Sequence, residues 1–385
     1  MRVLVVGGAG YIGSVTVVEL LAAGHEVLVL DDLSTGHRQA VHPEAELAVA
    51  EMGDRDLLDR LLSTHAVDAV VYLAGRIVAP ESLRRPDLYF QSNIAAAITV
   101  LNAIVAHGVE RLVFSSSAAV YGEPATVPIP EDAPLHPINP YGETKAAIER
   151  LLPWYEAAFG LRSVALRYFN AAGATGSLGE DHRPETHLIP LVLQVALARE
   201  AVPGGHAYRP PPRRVASGDR ALASAELGKE RPITIYGSDY PTPDGTCIRD
   251  YIHVADLARA HVLALERCVQ GRAEGPGGLD TEGKAIPLRG SPGPGGSGMM
   301  GSAAYNLGTG RGYSNREVIE TARRVTGCPI PVEEGPRRPG DPPVLVAKAE
   351  RAMKELRWRP RFSDLETILD SAWEWHRRHP TGYET

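Results

Sequence analysis

The chain predicts an α/β fold: a doubly wound parallel sheet followed by a smaller C-terminal α/β domain that binds substrate. Three observations carry that prediction. The chain opens as strand, glycine turn and helix, with "MRVLVV" before "GGAGYIGS" and "VTVVELLAAG" after it, the helix ending at Gly24. Apolar strand-like segments then recur with helical segments between them: "EVLVLDD" at 26–32, residues 45–51, "VDAVVYLAG", "VERLVFSSS" and "LRSVALRYFN". Such alternation requires crossover connections, hence parallel strands. Past residue 170 it gives way to prolines and isolated strands, where the second domain begins.

Each element has its own physical justification. In the opening turn, Gly8, Gly10 and Gly13 have the spacing for a tight turn, close backbone approach to a ligand and close helix-on-sheet packing. The helix that follows points its N-terminus at a pyrophosphate. The second strand ends in Asp31 and Asp32, about where a dinucleotide fold of Rossmann type sets an acid on the adenosine ribose. A carboxylate there repels a 2'-phosphate, so the expected cofactor is NAD rather than NADP. Ligands of such sheets lie beyond the carboxyl ends of strands, which places Ala74, Gly75, Ser115 to Ser117 and Asn170 in one crevice.

The 385 residues suffice for two domains: 1–170 for NAD, with a return segment near 248–268, and 171–385 mainly for substrate. Two stretches read as insertions, about 202–231 and 271–302. In the second, fifteen of 32 residues are Gly or Pro, a composition expected of a mobile surface loop. Arg213 and Arg214 in the first read as solvated loop charges. A net charge of −7, from 40 basic and 47 acidic residues without a basic block, argues against nucleic acid as partner. No unbroken apolar run of about 18 residues and no leader pattern occur, so no membrane association and a cytoplasmic location are expected. Cys247, Cys268 and Cys328 are widely separated, which predicts three buried, reduced thiols, and no metal site is expected.

The chemistry concentrates in "NPYGETKAAIERLL", residues 139–152. Asn139 suits an N-cap and Pro140 the first helical position, so Tyr141 and Lys145 lie four apart on one helix face. A phenol titrates near 10, so a tyrosine base near neutrality needs its phenolate stabilised by about 3 units, roughly 4 kcal/mol. An ammonium about 4 Å away supplies up to about 4 kcal/mol at an effective dielectric near 20. Ser117, at the end of the "SSS" strand, offers a hydroxyl that bonds the reacting oxygen and relays its proton to Tyr141.

Read together, "GGAGYIGS", "DDLSTGH", "PES", "SSSAAVYG", "NPYGETK", "LRYFNAAGA", "GSDYPTPDGTCIRDYIHVADLA", "YNLGTG" and "RRPGD" resemble, in order, the motifs of UDP-glucose 4-epimerases, within the extended short-chain dehydrogenase/reductase superfamily. The resemblance spans nearly the whole chain outside the two insertions. It implies that Ser117, Tyr141 and Lys145 are catalytic. NAD would be held by Gly7, Gly10, Tyr11, Ile12 and Gly13, by Asp31, Asp32, Ser34, Thr35 and Gly36 at the ribose, and by Asp54 and Arg55 at the adenine. Leu73, Ala74, Gly75, Asn93, Ser115, Tyr141, Lys145 and Phe169 would complete that site. The UDP-sugar would meet Ser117, Tyr141, Asn170, Leu188, Thr234, Ile235, Tyr236, Arg249, Arg338, Asp341 and Leu345. The arginines make sense as forks for a pyrophosphate.

The implied reaction interconverts UDP-glucose and UDP-galactose by inversion at C4, through a transient 4-keto sugar and NADH. Two departures bear on cofactor retention: Ile77 stands where many relatives carry a lysine, and Ser92 with Asn93 where many carry two asparagines. The 4,6-dehydratases begin identically but need an acidic pair after the strand-end hydroxyl; Ala118 and Ala119 fill those places here, which disfavours elimination. Two alternatives stay open: 4-epimerisation of UDP-N-acetylglucosamine or UDP-glucuronate, and a non-catalytic NAD-dependent binding protein. The resemblance also implies that Leu345 lies beside the C2 substituent of the hexose. It further implies a homodimer through helices near 92–107 and 141–158.

Overall fold

Strand β1 (Arg2–Val6) is fully buried from Val3 onward, which requires a sheet covered by helices on both faces. The computed structural model describes residues 1–200, 232–270 and 302–383, so both expected insertions, Ser302 apart, and the Arg213–Arg214 pair lie outside the described residues. The chain continues from β1 through α1 (Tyr11–Ala22), β2 (Glu26–Asp31), β3 (Glu46–Val49), α2 (Arg55–His65), β4 (Ala69–Tyr72) and α3 (Ala79–Arg84). Helix α4 (Pro86–Tyr89) passes through a π turn at Phe90–Ala95 into α5 (Ala96–Ala106). Next come β5 (Arg111–Ser117), α6 (Pro140–Phe159) and β6 (Arg162–Tyr168). The rest comprises β7 (Asn170–Ala172), α7 (Leu188–Glu200), β8 (Ile233–Tyr236), β9 (Ile248–His253), α8 (Val254–Gln270), β10 (Ala303–Leu307) and β11 (Gly312–Ser314). Helix α9 (Asn315–Thr326), β12 (Val332–Gly335), β13 (Val344–Leu345), α10 (Glu350–Glu355) and α11 (Leu365–Arg378) follow.

The main sheet is seven parallel strands in the order β10-β6-β5-β4-β1-β2-β3. Alternation within each strand sorts its side chains to opposite layers. Val3, Val5, Val29 and Val71 join a core that includes Leu257 and Leu265 of α8, while Leu4, Val6, Leu28 and Val70 join another with Leu58 of α2 and Leu101 of α5. The parallel register brings the ends of β1, β2, β4, β5 and β6 to one edge: Val6 pairs with Leu30 and with Tyr72, and Ser117 with Tyr168. The strand order reverses between β2 and β4 around β1, the crevice such folds use for ligands.

The chain returns to this sheet twice. Helix α8 packs across it, and β10 extends it beyond β6 with Ala303 opposite Val164. Strand β9 instead pairs with β7, β11 and β13 in a small sheet, and β8 pairs with β12. These, with α7, α9 and α11, enclose a third core including Val192, Ile319 and Trp373. Cys247 and Cys268 are buried and Cys328 is partly exposed, all three unpaired; Cys328 follows Gly327, whose left-handed backbone ends α9, and so sits at the margin rather than in the core as expected.

By length and composition the continuous helix Pro86–Ala106 is apolar enough to cross a membrane. Its second half instead buries Ala97, Val100, Leu101, Ala103 and Ile104 against the sheet, and its first half carries Asp87, Gln91, Ser92 and Asn93.

At Gly7, Gly8 and Gly13 the opening turn leaves no room for a side chain. A Cβ on Gly13 would stand 2.0 Å from the Gly7 carbonyl oxygen, and Gly7 itself has φ +86° with the Ala74 backbone nitrogen 2.7 Å from where its Cβ would be. Gly13→Ala is therefore expected to lose about 2–4 kcal/mol of stability, since the atoms its Cβ would meet, in Gly7 and Gly8, are backbone and cannot rotate away. Urea unfolding measures this, and a loss below about 0.5 kcal/mol would show that the turn can open.

Candidate active site

Helix α1 begins at Gly10 with no side chain capping it, so the first-turn N–H groups face the crevice unsatisfied by the helix itself. An uncapped, positively polarised helix end beside a glycine-rich turn fits a pyrophosphate. The buried Asp31 carboxylate accepts the N–H of Ala9 on one oxygen and of Leu33 on the other, both at 2.9 Å, and so ties the glycine turn to the loop after β2. Burial pushes this carboxyl up, and the two N–H groups oppose that push. Each carboxylate oxygen keeps a lone pair, which fits a ribose hydroxyl. Gly36 packs against both Ala9 and Asp31, and Thr35 lines the same hollow with Ala9, Gly10 and Tyr11.

Other expected cofactor residues have local roles. The exposed Asp54 caps α2 by accepting the Leu57 N–H at 3.0 Å, and Arg55 pairs with Asp59 at 2.8 Å. The exposed Asp32 accepts the Ser34 N–H at 2.8 Å. The Tyr11 hydroxyl donates to the Gly173 carbonyl at 2.6 Å, which leaves Tyr11 and Ile12 their backbone N–H groups for a ligand. Asn93 is the buried pin of the β4 loop: it accepts the Arg76 N–H at 2.8 Å and donates to the Arg76 carbonyl at 3.0 Å and to Thr144 Oγ1 at 3.1 Å. That pin holds Leu73, Ala74 and Gly75 over the crevice, whereas the neighbouring Ile77 is exposed and Ser92 bonds back to Leu88.

Helix α6 begins as its sequence predicts. Asn139 accepts the Gly142 N–H at 2.8 Å and Pro140 takes the first turn. Thr144 Oγ1 donates to the Tyr141 carbonyl at 2.7 Å, linking the start of α6 to Asn93. Burial pushes the Tyr141 phenol up, and its hydrogen bond with Ser117 opposes that push. Ser117 also accepts the Ala119 N–H at 3.1 Å, which fixes it at the strand end. Lys145 is almost wholly buried and donates to the Ser115 carbonyl at 2.8 Å. Burial lowers its ammonium to about 8, opposed by Glu149 one turn on.

Glu149 is a residue the sequence reading passed over. Its carboxylate forms a buried pair with Arg167, at 2.6 Å through Nη2, and accepts the Ser116 hydroxyl. Arg167 also donates to the Tyr121 hydroxyl at 2.7 Å, which in turn donates to Asn306 at 2.7 Å. The available signal was an arginine following the apolar run Val164 to Leu166, with a glutamate four residues beyond Lys145.

On the other side, Arg249 and Asp341 form an ion pair, and Arg338 stacks on the Tyr236 ring at 3.8 Å. Thr234 bonds Glu333 at 2.7 Å and Ile235 is buried, so β8 offers backbone at those two positions. Leu345 pairs in register with Arg249 and packs on a cluster with Ala118, Phe169 and Ala347. Asn170 starts β7 and Leu188 starts α7, both half-buried. Just before Leu188, the segment "EDHRPETH" gathers four further chemical groups, Glu180, His182, Glu185 and His187, that the sequence reading also passed over.

The model of the NAD dependent epimerase/dehydratase family matches residues 3–276. A UDP-glucose 4-epimerase of Lacticaseibacillus casei is 43% identical over 385 residues, covering 100% of this chain and 99% of the relative. Among solved structures, a UDP-glucose 4-epimerase from Brucella ovis in complex with NAD is 39% identical with a TM-score of 0.79, covering 97% of this chain and 98% of that one. One from Bifidobacterium longum in complex with NAD+ and UDP is 32% identical with a TM-score of 0.79, each chain covered over its full length.

The burial of Lys145 has a pH signature. Its folded value of about 8 lies below the unfolded value of about 10.4, so holding it charged at pH 7 costs about 3 kcal/mol. Between those values the unfolded chain binds more protons, and stability rises with pH across the window. Lys145→Met, at matched NAD occupancy, is expected to exceed the parent at pH 7 by up to about 3 kcal/mol, and to lose that advantage by about pH 10.5. Urea unfolding at pH 7, 9 and 10.5 measures it; a difference independent of pH would contradict the burial cost.

Proposed function

The chain belongs to the NAD dependent epimerase/dehydratase family, and we infer that its activity is that of a UDP-glucose 4-epimerase, the interconversion of UDP-glucose and UDP-galactose. The observation that carries this reading is the Ser117, Tyr141 and Lys145 constellation at the carboxyl end of β5, on the same sheet edge as the glycine turn. The cofactor is NAD, which when bound supplies reversible hydride acceptance at sugar C4.

We propose that Tyr141 takes the proton of the sugar 4-hydroxyl and later returns it. Ser117 bonds both that hydroxyl and the phenol, so the proton moves along a preformed path. Lys145, one turn along the same helix and charged at neutral pH, is the cation assigned to stabilising the phenolate as it forms. The 4-keto sugar must turn over between the two transfers while its nucleotide stays held. Arg249, Arg338 and Asp341, with the backbone of Leu188 and β8, suit the nucleotide, and the apolar surface of Leu345, Ala118 and Phe169 suits a sugar gripped loosely. Ala118 and Ala119 offer no acid for elimination.

A homodimer is also proposed, the occupant of one exposed apolar face being a second copy. Phe90, Ile98, Trp154 and Phe159 are exposed on the Pro86–Ala106 helix and on α6, and Tyr155 bonds Asn102 between those helices at 2.7 Å. A cytoplasmic location agrees with three unpaired thiols.

Two variants test the site. Tyr141→Phe keeps the ring's packing but removes the proton acceptor. It is expected to retain fold and NAD while losing turnover of UDP-galactose by at least about a thousandfold. Near-parental turnover in a purified, NAD-loaded sample would overturn the assignment. Leu345 bears on sugar size, because leucine is shorter than tyrosine and can rotate. UDP-N-acetylglucosamine is therefore expected as a secondary substrate, and Leu345→Tyr to abolish that activity while sparing UDP-glucose. Chromatography of the products decides, and a parent inert toward the acetylated sugar would move the pocket wall elsewhere.

A further inference from the structure

Residues 180–187 fold so that four metal-ligand atoms, one each from Glu180, His182, Glu185 and His187, lie within 4.8 Å of one another. His187 Nδ1 is 2.8 Å from Glu180 Oε1 and 2.9 Å from Glu185 Oε1, and His182 Nδ1 is 3.1 Å from Glu180 Oε1 and 3.8 Å from Glu185 Oε2. A tetrahedral ion with bonds of about 2.0–2.1 Å sets its ligands roughly 3.3 Å apart, which these separations bracket. Both carboxylates are buried, and the one arginine among them, Arg183, already pairs with Asp181 at 2.8 Å. Glu185 supplies a second, independent observation. Its Oε1 accepts the N–H groups of Thr186 and His187, while its Oε2 is buried and accepts no hydrogen bond, although it is aimed at His182. Two buried anions and an unsatisfied buried oxygen call for a cation at their centre.

We propose that Glu180, His182, Glu185 and His187 form a binding site for one divalent transition-metal ion of the zinc class. Two imidazoles with two carboxylates suit zinc and its neighbours, not magnesium or calcium, which take oxygen alone. The half-exposed histidines form the solvent side, through which the ion enters. The role is structural and lies apart from Tyr141. The segment carrying the ligands is bonded to the glycine turn side through His37, whose ring meets the Asp181 carbonyl at 2.8 Å and whose N–H donates to the Ala9 carbonyl at 2.9 Å, and it ends where Leu188 starts α7. An ion there clamps the cofactor-side turn to the helix that offers Leu188.

The test uses the full chain carrying Cys328→Ser, which removes the partly exposed thiol as a competing ligand. After chelator treatment and removal of the chelator, zinc chloride is titrated against a chromogenic zinc indicator, with magnesium chloride in parallel. The expected result is about one zinc per chain and a melting temperature higher by at least about 3 °C, with no response to magnesium. The double variant Glu185→Gln, His187→Gln is expected to hold under about a tenth of an equivalent. No zinc uptake at micromolar concentration by the chain with its four ligands intact, or uptake unchanged in a folded double variant, would overturn the proposal and leave the cluster a histidine–carboxylate ion-pair network only. The titration of the intact chain decides even if the double variant does not fold.

Discussion

The structure turns on one costly placement, the ammonium of Lys145 inside the protein. It is held by a carbonyl of β5 and faces Glu149, so the end of that strand, the helix carrying Tyr141 and the Arg167 network can be adjusted only together. Buried pairs such as Glu149 with Arg167 seldom add net stability, because desolvation consumes most of the attraction. Their value here is positional. By fixing Glu149 from two sides, through Arg167 and Ser116, they place a negative charge that keeps Lys145 protonated near neutrality, where a tyrosine base needs it.

The parallel sheet makes that placement useful. Parallel register aligns the ends of β1, β4 and β5, so a glycine turn after one strand and a serine after another meet at one edge without any sequence proximity. Asn93 fastens this edge, since one side chain bonds both the β4 loop and Thr144 of α6. The cofactor crevice and the reacting hydroxyl are thereby held by the same few buried polar contacts.

Much of this was legible in the sequence because the signals are local. A glycine-rich turn, an Asn-Pro helix start and a Tyr/Lys pair one turn apart each depend on a handful of consecutive residues. Less legible was what depends on distant partners. The sheet's seventh strand comes from residues 303–307, and nothing in "AAYNL" says that it will lie beside β6. Glu149 and Arg167 look like surface charges until β6 and α6 bring them together. Asp54 and Arg55, singled out by resemblance, each have a local partner in the described fold, a distinction that a motif cannot make. The histidines and glutamates of 180–187 lie close in sequence, yet their spacing matches no common metal pattern, and only the turn of the chain makes them converge.

Inverting C4 demands opposite properties at the two ends of one pocket. The nucleotide end must be stiff, and the residues proposed for it are charges already committed to neighbours: Arg249 to Asp341, Arg338 to the Tyr236 ring. Such prepaired groups have little side-chain freedom left to lose to a ligand, which lowers the ordering cost of holding a diphosphate. The sugar end must allow rotation, and Leu345, Ala118 and Phe169 provide contact without directional bonds. A hexose held mainly by dispersion, with directional bonds only at its 4-oxygen, can present either face to the same tyrosine, whereas one hydrogen bond to each hydroxyl would trap it after the first transfer. On the proposed assignment, the polarity gradient from Arg249 to Leu345, cross-strand neighbours in β9 and β13, is what suits this edge to an epimerase rather than to a simple alcohol dehydrogenase.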